Sequence, residues 1–214
     1  HAMRVNVQEL SAVSAQLQGQ LEGVRQIEQL DTLRGAEGVA SAAYFGVFDQ
    51  LILNQKDVFR FKGRSRRPPL DWVNAALSMT YTLLAHDCAS ALESVGLDAY
   101  VGFMHRDRPG RTSLALDLME ELRAPQADRF VLTLINTRAL QQKHFQTQSD
   151  GAVWLTDDGR KVLLSAWQNR KKEEITHPFL KEKMTWGLVP YVQALLLARY
   201  LRGDMDEYPP FLWK

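Results

Sequence analysis

Two short runs hold the residues that could do chemistry. In one, Gly102-Phe103-Met104-His105 is followed fifteen positions after the histidine by Glu120, inside Leu116-Asp117-Leu118-Met119-Glu120-Glu121. The other lies upstream, where Arg34-Gly35-Ala36-Glu37-Gly38 leads into Ala43-Tyr44-Phe45. One imidazole and two carboxylates, deprotonated and convergent, suit a divalent cation, and a Glu/His/Glu set with open positions fits Mg²⁺ or Mn²⁺. Asp117 and Glu120 sit at i and i+3, on one side of a short helix with Ser113. Taken alone, a histidine is more often a hydrogen-bonding core residue than a ligand. That is the reading for His86, His144 and His177.

These residues need elements to present them, and the apolar spacing predicts helices almost throughout. Leu10, Val13, Leu17, Leu21, Val24 and Ile27 recur every three or four positions, giving an amphipathic helix over about 7–29. A second helix is expected over 31–53, then a basic loop over 54–69. Asp71 caps a long third helix running to about 95, with Gly96 as its stop. Its apolar residues cover most faces, which places it at the centre of the bundle. Residues 100–104 read as an extended, buried segment that delivers His105, and Arg108-Pro109-Gly110 as a turn. Helices are then expected from Thr112 or Ser113 to about 123, after Pro125 to about 145, and from Asp157 or Asp158 to about 172. Val153-Trp154-Leu155 reads as a short strand. A last helix over 178–201 should kink at Pro190. The tail Tyr208-Pro209-Pro210-Phe211-Leu212-Trp213, apolar and stiffened by its prolines, should pack on the domain or on a partner.

Arg34, Glu37, Ser41 and Tyr44 form one stripe on the second helix. Gly35 and Gly38 flank the acid, although glycine within a helix costs about 1 kcal/mol against alanine, so another backbone or a ligand should lie close. Spacing alone more commonly describes a solvated stripe in which Arg34 and Glu37 pair at the surface. Asn74, Ser78 and Tyr81 interrupt the otherwise apolar third helix. They either line a polar site or bond neighbouring helices, because unpartnered polar atoms are costly in a core.

The 54–69 loop carries Lys56, Arg60, Lys62, Arg64, Arg66 and Arg67 against Asp57 alone, with Phe59 and Phe61 interleaved. Six cations in sixteen residues form a phosphate-binding footprint or a solubilising loop. Arg106, Arg108 and Arg111 beside His105 favour the footprint. A polyanionic substrate would explain positive charge next to a cation site. A small-molecule metallohydrolase fits the three ligands but leaves the basic loop unexplained.

The 214-residue chain is long enough for one sizeable domain, and its 45% hydrophobic and 24% charged residues are ordinary for a globular protein. With 26 Lys+Arg against 25 Asp+Glu, basic surface arises only by clustering. The single cysteine, Cys88, excludes an intrachain disulfide framework and fits a reducing cytoplasm. No apolar run is long enough to span a bilayer and no signal peptide is recognised, so no membrane partner is expected. His1-Ala2-Met3 reads as a cloning remnant, leaving 4–214 as a single domain.

The Arg34-Gly35-Ala36-Glu37-Gly38 run with Tyr44-Phe45, then Asn74-Ala75-Ala76-Leu77-Ser78, then Gly102-Phe103-Met104-His105, then Ser113-Leu114-Ala115-Leu116-Asp117-Leu118-Met119-Glu120-Glu121-Leu122-Arg123 resembles the CRISPR-associated spacer-acquisition integrase, the Cas-one family. The match keeps its order from about Leu33 to Asp128. The resemblance implies an all-α helical-bundle catalytic domain with at most a short strand or hairpin. It makes Glu37, His105 and Glu120 the catalytic metal triad, with Mg²⁺ or Mn²⁺ as cofactor. Asp117, Asn74, Ser78, Tyr44 and Tyr81 take supporting places, and Arg34, Lys62, Arg64, Arg66, Arg67, Arg106 and Arg111 contact DNA. The implied activity is an endonuclease and integrase of CRISPR adaptation, joining prespacer 3′-hydroxyl ends to the CRISPR repeat by phosphodiester transesterification. Its partners are prespacer and repeat DNA and the Cas-two protein, with a homodimer for the full-length chain. Family members begin with a β-rich amino-terminal domain. Only one helix precedes Arg34 here, so the chain reads as an excised carboxy-terminal domain, weakly active or inactive alone. The alternative is a DNA-binding scaffold without catalysis, its acids merely paired with nearby arginines.

Overall fold

The structure is a computed structural model that describes residues 6–213; the cloning-remnant reading of the first three residues lies outside them. The chain is mostly helical, as expected, but it carries two antiparallel hairpins rather than at most one. The described residues form two compact units: one takes in those up to Ala75 and Leu132–Thr156, the other Ala76–Val131 and those from Asp157 onward.

In the first unit, α1 (Val7–Val24) starts at Asn6, whose side chain accepts from the Glu9 amide. It lies against α2 (Leu30–Gly46) and buries none of its residues. The second helix was expected to continue to 53, but it ends at Gly46 and a single 3₁₀ turn, Phe48–Leu51, follows. The reason lies far along the chain. Asn136 Oδ1 accepts from the Leu53 and Asn54 amides and Asn136 Nδ2 donates to the Leu51 carbonyl, so this backbone is satisfied without a helix. Aromatic rings fill the unit: Phe45, Phe48 and Phe61 meet in one cluster, and Phe59 packs edge-on to Trp72 and Phe145, which stack on each other. Hairpin β1 (Phe145–Thr147) and β2 (Val153–Leu155) pairs Gln146 with Trp154, so the strand expected at 153–155 is present.

The long helix α3 (Trp72–Ser94) contributes its first residues to this unit and the remainder to the other. It ends as expected at Gly96, where a φ of +82° suits a residue without a Cβ. In the second unit α4 (Ser113–Leu122) runs directly into a π turn, Arg123–Asp128; α5 (Arg129–Asn136) follows, and its residues from Leu132 on belong to the first unit. Pro125 therefore starts no new helix. The widened π turn absorbs the missing amide. The expected extension to 145 also fails: α5 stops at Asn136, and Arg138 turns the backbone to a φ of +61°. Helix α6 (Asp157–Arg170) appears as expected. The helix expected over 178–201 is instead hairpin β3 (Glu174–Thr176) and β4 (Lys183–Thr185) followed by α7 (Val189–Leu201). Pro190 falls in the first turn of α7, where no amide is needed, so it causes no kink. Buried Trp167 packs on Phe130 and donates its indole N–H to Asp87, which also binds Lys171. Phe211 in the tail is buried against Trp186 and His177, so the tail packs on the domain as expected. No described helix is long and apolar enough to cross a membrane.

Candidate metal and nucleic-acid site

Asp117 organises the histidine. Its Oδ1 accepts from the His105 amide at 2.9 Å and from the His105 ring Nδ1–H at 2.6 Å; its Oδ2 accepts from the Phe103 and Met104 amides at 2.5 and 3.0 Å. Three consecutive backbone amides thus wrap one carboxylate, so residues 103–105 bend around α4. They are not the extended buried segment expected, and Val101 and Phe103 are exposed. Glycine is required at 102 because a Cβ there would sit 2.7 Å from the Ser113 Cβ and 2.8 Å from the His105 carbonyl oxygen. Ser113, fully buried, closes the loop by donating to the Arg106 carbonyl. The expected turn at 108–110 is present, with Gly110 at a φ of +72°.

Burial opposes ionisation of Asp117, but the His105 ring and the three amides outweigh it and hold the carboxyl below its usual range. An ionised Asp117 fixes the proton of the neutral imidazole on Nδ1 and leaves the Nε2 lone pair as an acceptor. Carboxylate-bound histidines are oriented in this way for metal ligation. Glu120, three residues on, accepts from Arg123 at 2.9 Å. The Arg123 guanidinium also lies 5.8 Å from the Tyr81 ring centre, and the Tyr81 hydroxyl donates to buried Asp128. Tyr81 therefore braces the π turn beyond Glu120. Asp128 carries no sequence signal, because only the inserted π turn sets its register. Ser78, half-buried in the same unit, accepts from the Thr82 hydroxyl through its carbonyl.

In the first unit, Glu37 is exposed on α2. It borders a pocket of about 360 Å³ between α1 and α2, whose other lining residues are aliphatic, Ser or Gln. Arg34 pairs with Asp31 at 2.7 Å. Gly35 and Gly38 have nothing within 4 Å of where a Cβ would lie, so the close backbone approach expected there is not found among the described residues. Tyr44 packs edge-on against Phe45 and Phe48. Asn74 is buried and clamps the basic loop: its Oδ1 accepts from Arg64 Nη1 and the Ser65 amide, and its Nδ2 donates to the Gly63 carbonyl and to Asp71. Burial raises the Asp71 carboxyl above its ordinary range, with partial relief from Asn74.

The basic loop alternates. Phe59 and Phe61 point into the core, while Arg60, Lys62, Arg66 and Arg67 are exposed. The interleaved aromatics are therefore anchors for the loop, and Arg64 spends part of its guanidinium on Asn74. Arg106 is exposed and Arg111 half-buried in the second unit. Of the remaining histidines, His144 and His177 are buried and hydrogen-bonded as expected, whereas His86 is exposed and not a core residue.

Among the described residues, no three His, Cys, Asp or Glu side chains cluster in an arrangement able to hold a metal ion. The first unit carries Glu37; the second carries His105 and Glu120. Carboxylate oxygens and an imidazole nitrogen with a fixed tautomer are nevertheless the donor types that Mg²⁺ and Mn²⁺ accept.

A mostly helical chain with a carboxylate-oriented histidine and a loop of outward cations has the features of a nucleic-acid-processing domain. Comparison with known proteins gives the family. Residues 1–169 match the CRISPR associated protein Cas1 family. The chain is 64% identical over 187 residues to a CRISPR-associated endonuclease Cas1 of Rhodospirillum rubrum, covering 87% of this chain and 54% of that one. It is 45% identical over 207 residues to the corresponding endonuclease of Leptospira interrogans, covering 97% and 81%. A casposase bound to integration product superposes with a TM-score of 0.78 at 27% identity, over 88% of this chain and 53% of that one. A chain of a partial Cas6-RT-Cas1–Cas2 complex superposes with a TM-score of 0.81 at 25% identity, over 98% and 61%. The chain belongs to the Cas1 family. It spans between half and two thirds of the length of the Rhodospirillum rubrum and Chlorobaculum tepidum relatives.

Proposed function

We propose that this chain is the metal-dependent catalytic domain of a CRISPR-adaptation DNA endonuclease and integrase. The observation that supports this most is the Asp117 carboxylate on His105 Nδ1, which leaves Nε2 to bind a cation. Glu37, His105 and Glu120 would hold Mg²⁺ or Mn²⁺, which supplies charge neutralisation and Lewis-acid polarisation at a phosphate oxygen. Asp117 keeps the His105 proton on Nδ1 throughout. Arg34, Arg106 and Arg111 contact phosphates near the scissile bond, and Lys62, Arg64, Arg66 and Arg67 grip the backbone further along. The reaction exchanges one phosphodiester for another: a prespacer 3′-hydroxyl attacks the repeat phosphate, its proton passes to solvent, and the repeat's own 3′-oxygen leaves. The same site run in reverse opens branched DNA.

The Cas6-RT-Cas1–Cas2 complexes support Cas2 as a partner, and the casposase bound to integration product supports DNA. Cas2 and a second Cas1 copy would hold two such sites at a fixed spacing, since two-ended insertion needs two. A DNA-binding scaffold without catalysis is the second reading, favoured by the ion pair of Glu120 with Arg123. Mn²⁺-dependent nicking of branched DNA separates the two. Glu37→Ala, His105→Ala and Glu120→Ala should each abolish nicking without unfolding the chain. Full activity in His105→Ala would remove the catalytic reading.

A further inference from the structure

Glu121, beside Glu120 on α4, takes no part in the chemistry described so far, yet it is half-buried and its carboxylate accepts three hydrogen bonds. Its Oε1 accepts from the Tyr208 hydroxyl; its Oε2 accepts from the Phe211 amide at 2.6 Å and from Gln193 Nε2 at 2.8 Å. Gln193, fully buried on α7, also places Nε2 2.8 Å from the Tyr208 hydroxyl and 3.3 Å from the Pro209 carbonyl. Its Oε1 accepts from His177 Nε2–H at 3.0 Å, and His177 Nδ1 accepts from the Phe179 and Leu180 amides. One unbroken chain of hydrogen bonds therefore joins the β3–β4 turn, α7, the carboxy-terminal tail and α4. Burial pushes the Glu121 carboxyl above its usual range, an effect its three donors only partly offset. An apolar side chain would fill this space without that penalty, so the bonds specify one arrangement.

The place of this network gives it a role. Helix α4 ends at Leu122, and the π turn begins at the next residue. The π turn replaces the i to i−4 ladder with wider bonds and contains Pro125, which has no amide to donate, so the bonds on Glu121 add a hold on the last turn of α4, which carries Glu120, from outside the helix.

We propose that Glu121, Gln193 and Tyr208 are positioning residues: they strap the tail across α4 and thereby set the orientation of Glu120 and of the Asp117 that holds His105. The strap rests on the metal site proposed above for its functional meaning, but its structural effect can be read without metal. The test compares the intact chain with Tyr208→Phe and Glu121→Gln, each of which nearly keeps the side-chain volume and removes a bond of the strap.

In the metal-free chain, Tyr208→Phe and Glu121→Gln should raise amide exchange across Leu118, Met119 and Glu120 about tenfold. They should also shift the ¹⁵N resonance of His105 Nδ1. Titration with Mn²⁺ should show affinity falling about tenfold in both variants. Unchanged exchange and an unchanged His105 resonance in both variants would overturn the strap. If the intact chain binds no Mn²⁺ through His105, the proposed function fails, and the strap is still decided by the metal-free measurements.

Discussion

Asp117→Asn is the most informative single change, because one carboxylate satisfies four donors. An amide has one acceptor oxygen. Turned toward Oδ2 it keeps Phe103 and Met104 and loses both His105 bonds; turned the other way it does the reverse. The first is cheaper, because the His105 ring can carry its proton on Nε2 and accept from the new NH₂ group, which leaves one amide unsatisfied. The Asp117 side chain is only 10% exposed, so solvent replaces that bond poorly. An unsatisfied donor costs about 1–3 kcal/mol. For a chain of this size that lowers Tm by roughly 2–12 °C, at about 2–4 °C per kcal/mol. The chemical consequence is separate. Without the carboxylate the imidazole loses its preference for a proton on Nδ1, and disturbance of such a partner costs about 10–100-fold in metal affinity or activity. Thermal unfolding reads the first effect. The ¹⁵N spectrum of the His105 ring reads the second without any cation, by loss of the Nδ1–H form. A variant that keeps both its Tm and the Nδ1–H resonance would refute the claim that Asp117 organises this site.

Further outcomes follow from neighbouring features. Gly102→Ala places a Cβ within 2.8 Å of a backbone oxygen, which only a shift of the 102–105 loop relieves, so we expect a loss of about 1–3 kcal/mol, checked by denaturant titration. Arg66→Ala with Arg67→Ala should weaken binding to unrelated duplexes equally and reduce the slope of log affinity against log salt by up to about 1 for each phosphate no longer neutralised; unchanged affinity at low salt would make the loop a solubilising one. His177 is buried beside Gln193, and burial lowers its pKa from 6.5 despite the Gln193 hydrogen bond and the nearby Glu182. Its folded pKa thus lies below the unfolded value, so the unfolded chain binds more protons between the two. The stability contribution is complete above about pH 6.5 and declines as pH falls through the folded pKa. Urea unfolding from pH 7.5 to 5 should show that decline, and His177→Gln should flatten it.

Local chemistry determined much of this protein. The apolar period of three and four gave α1 its start, although the helix stops at Val24 and not at 29, and the starts at Asp71 and Asp157 placed α3 and α6 close to their observed bounds. Gly96 ended α3 because a positive φ suits glycine. The order of the Arg34, Asn74, His105 and Glu120 runs identified the family, since a joint pattern of side-chain types survives where single residues are ambiguous. Distant bonds decided what spacing could not express. Asn136 ended the second helix 83 positions away, through the Leu53 amide. His177 and Gln193 turned an expected helix into a hairpin and a helix. The π turn after Glu120 needs no amide at Pro125, and it alone sets where Asp128 meets Tyr81. Asp117 was legible as an acid three residues before Glu120, but its four bonds exist only once the loop has closed on α4. Periodicity reports the face a segment buries. Which partner satisfies a given amide or carboxylate is settled between segments far apart in the chain, and only the tertiary structure brings those together.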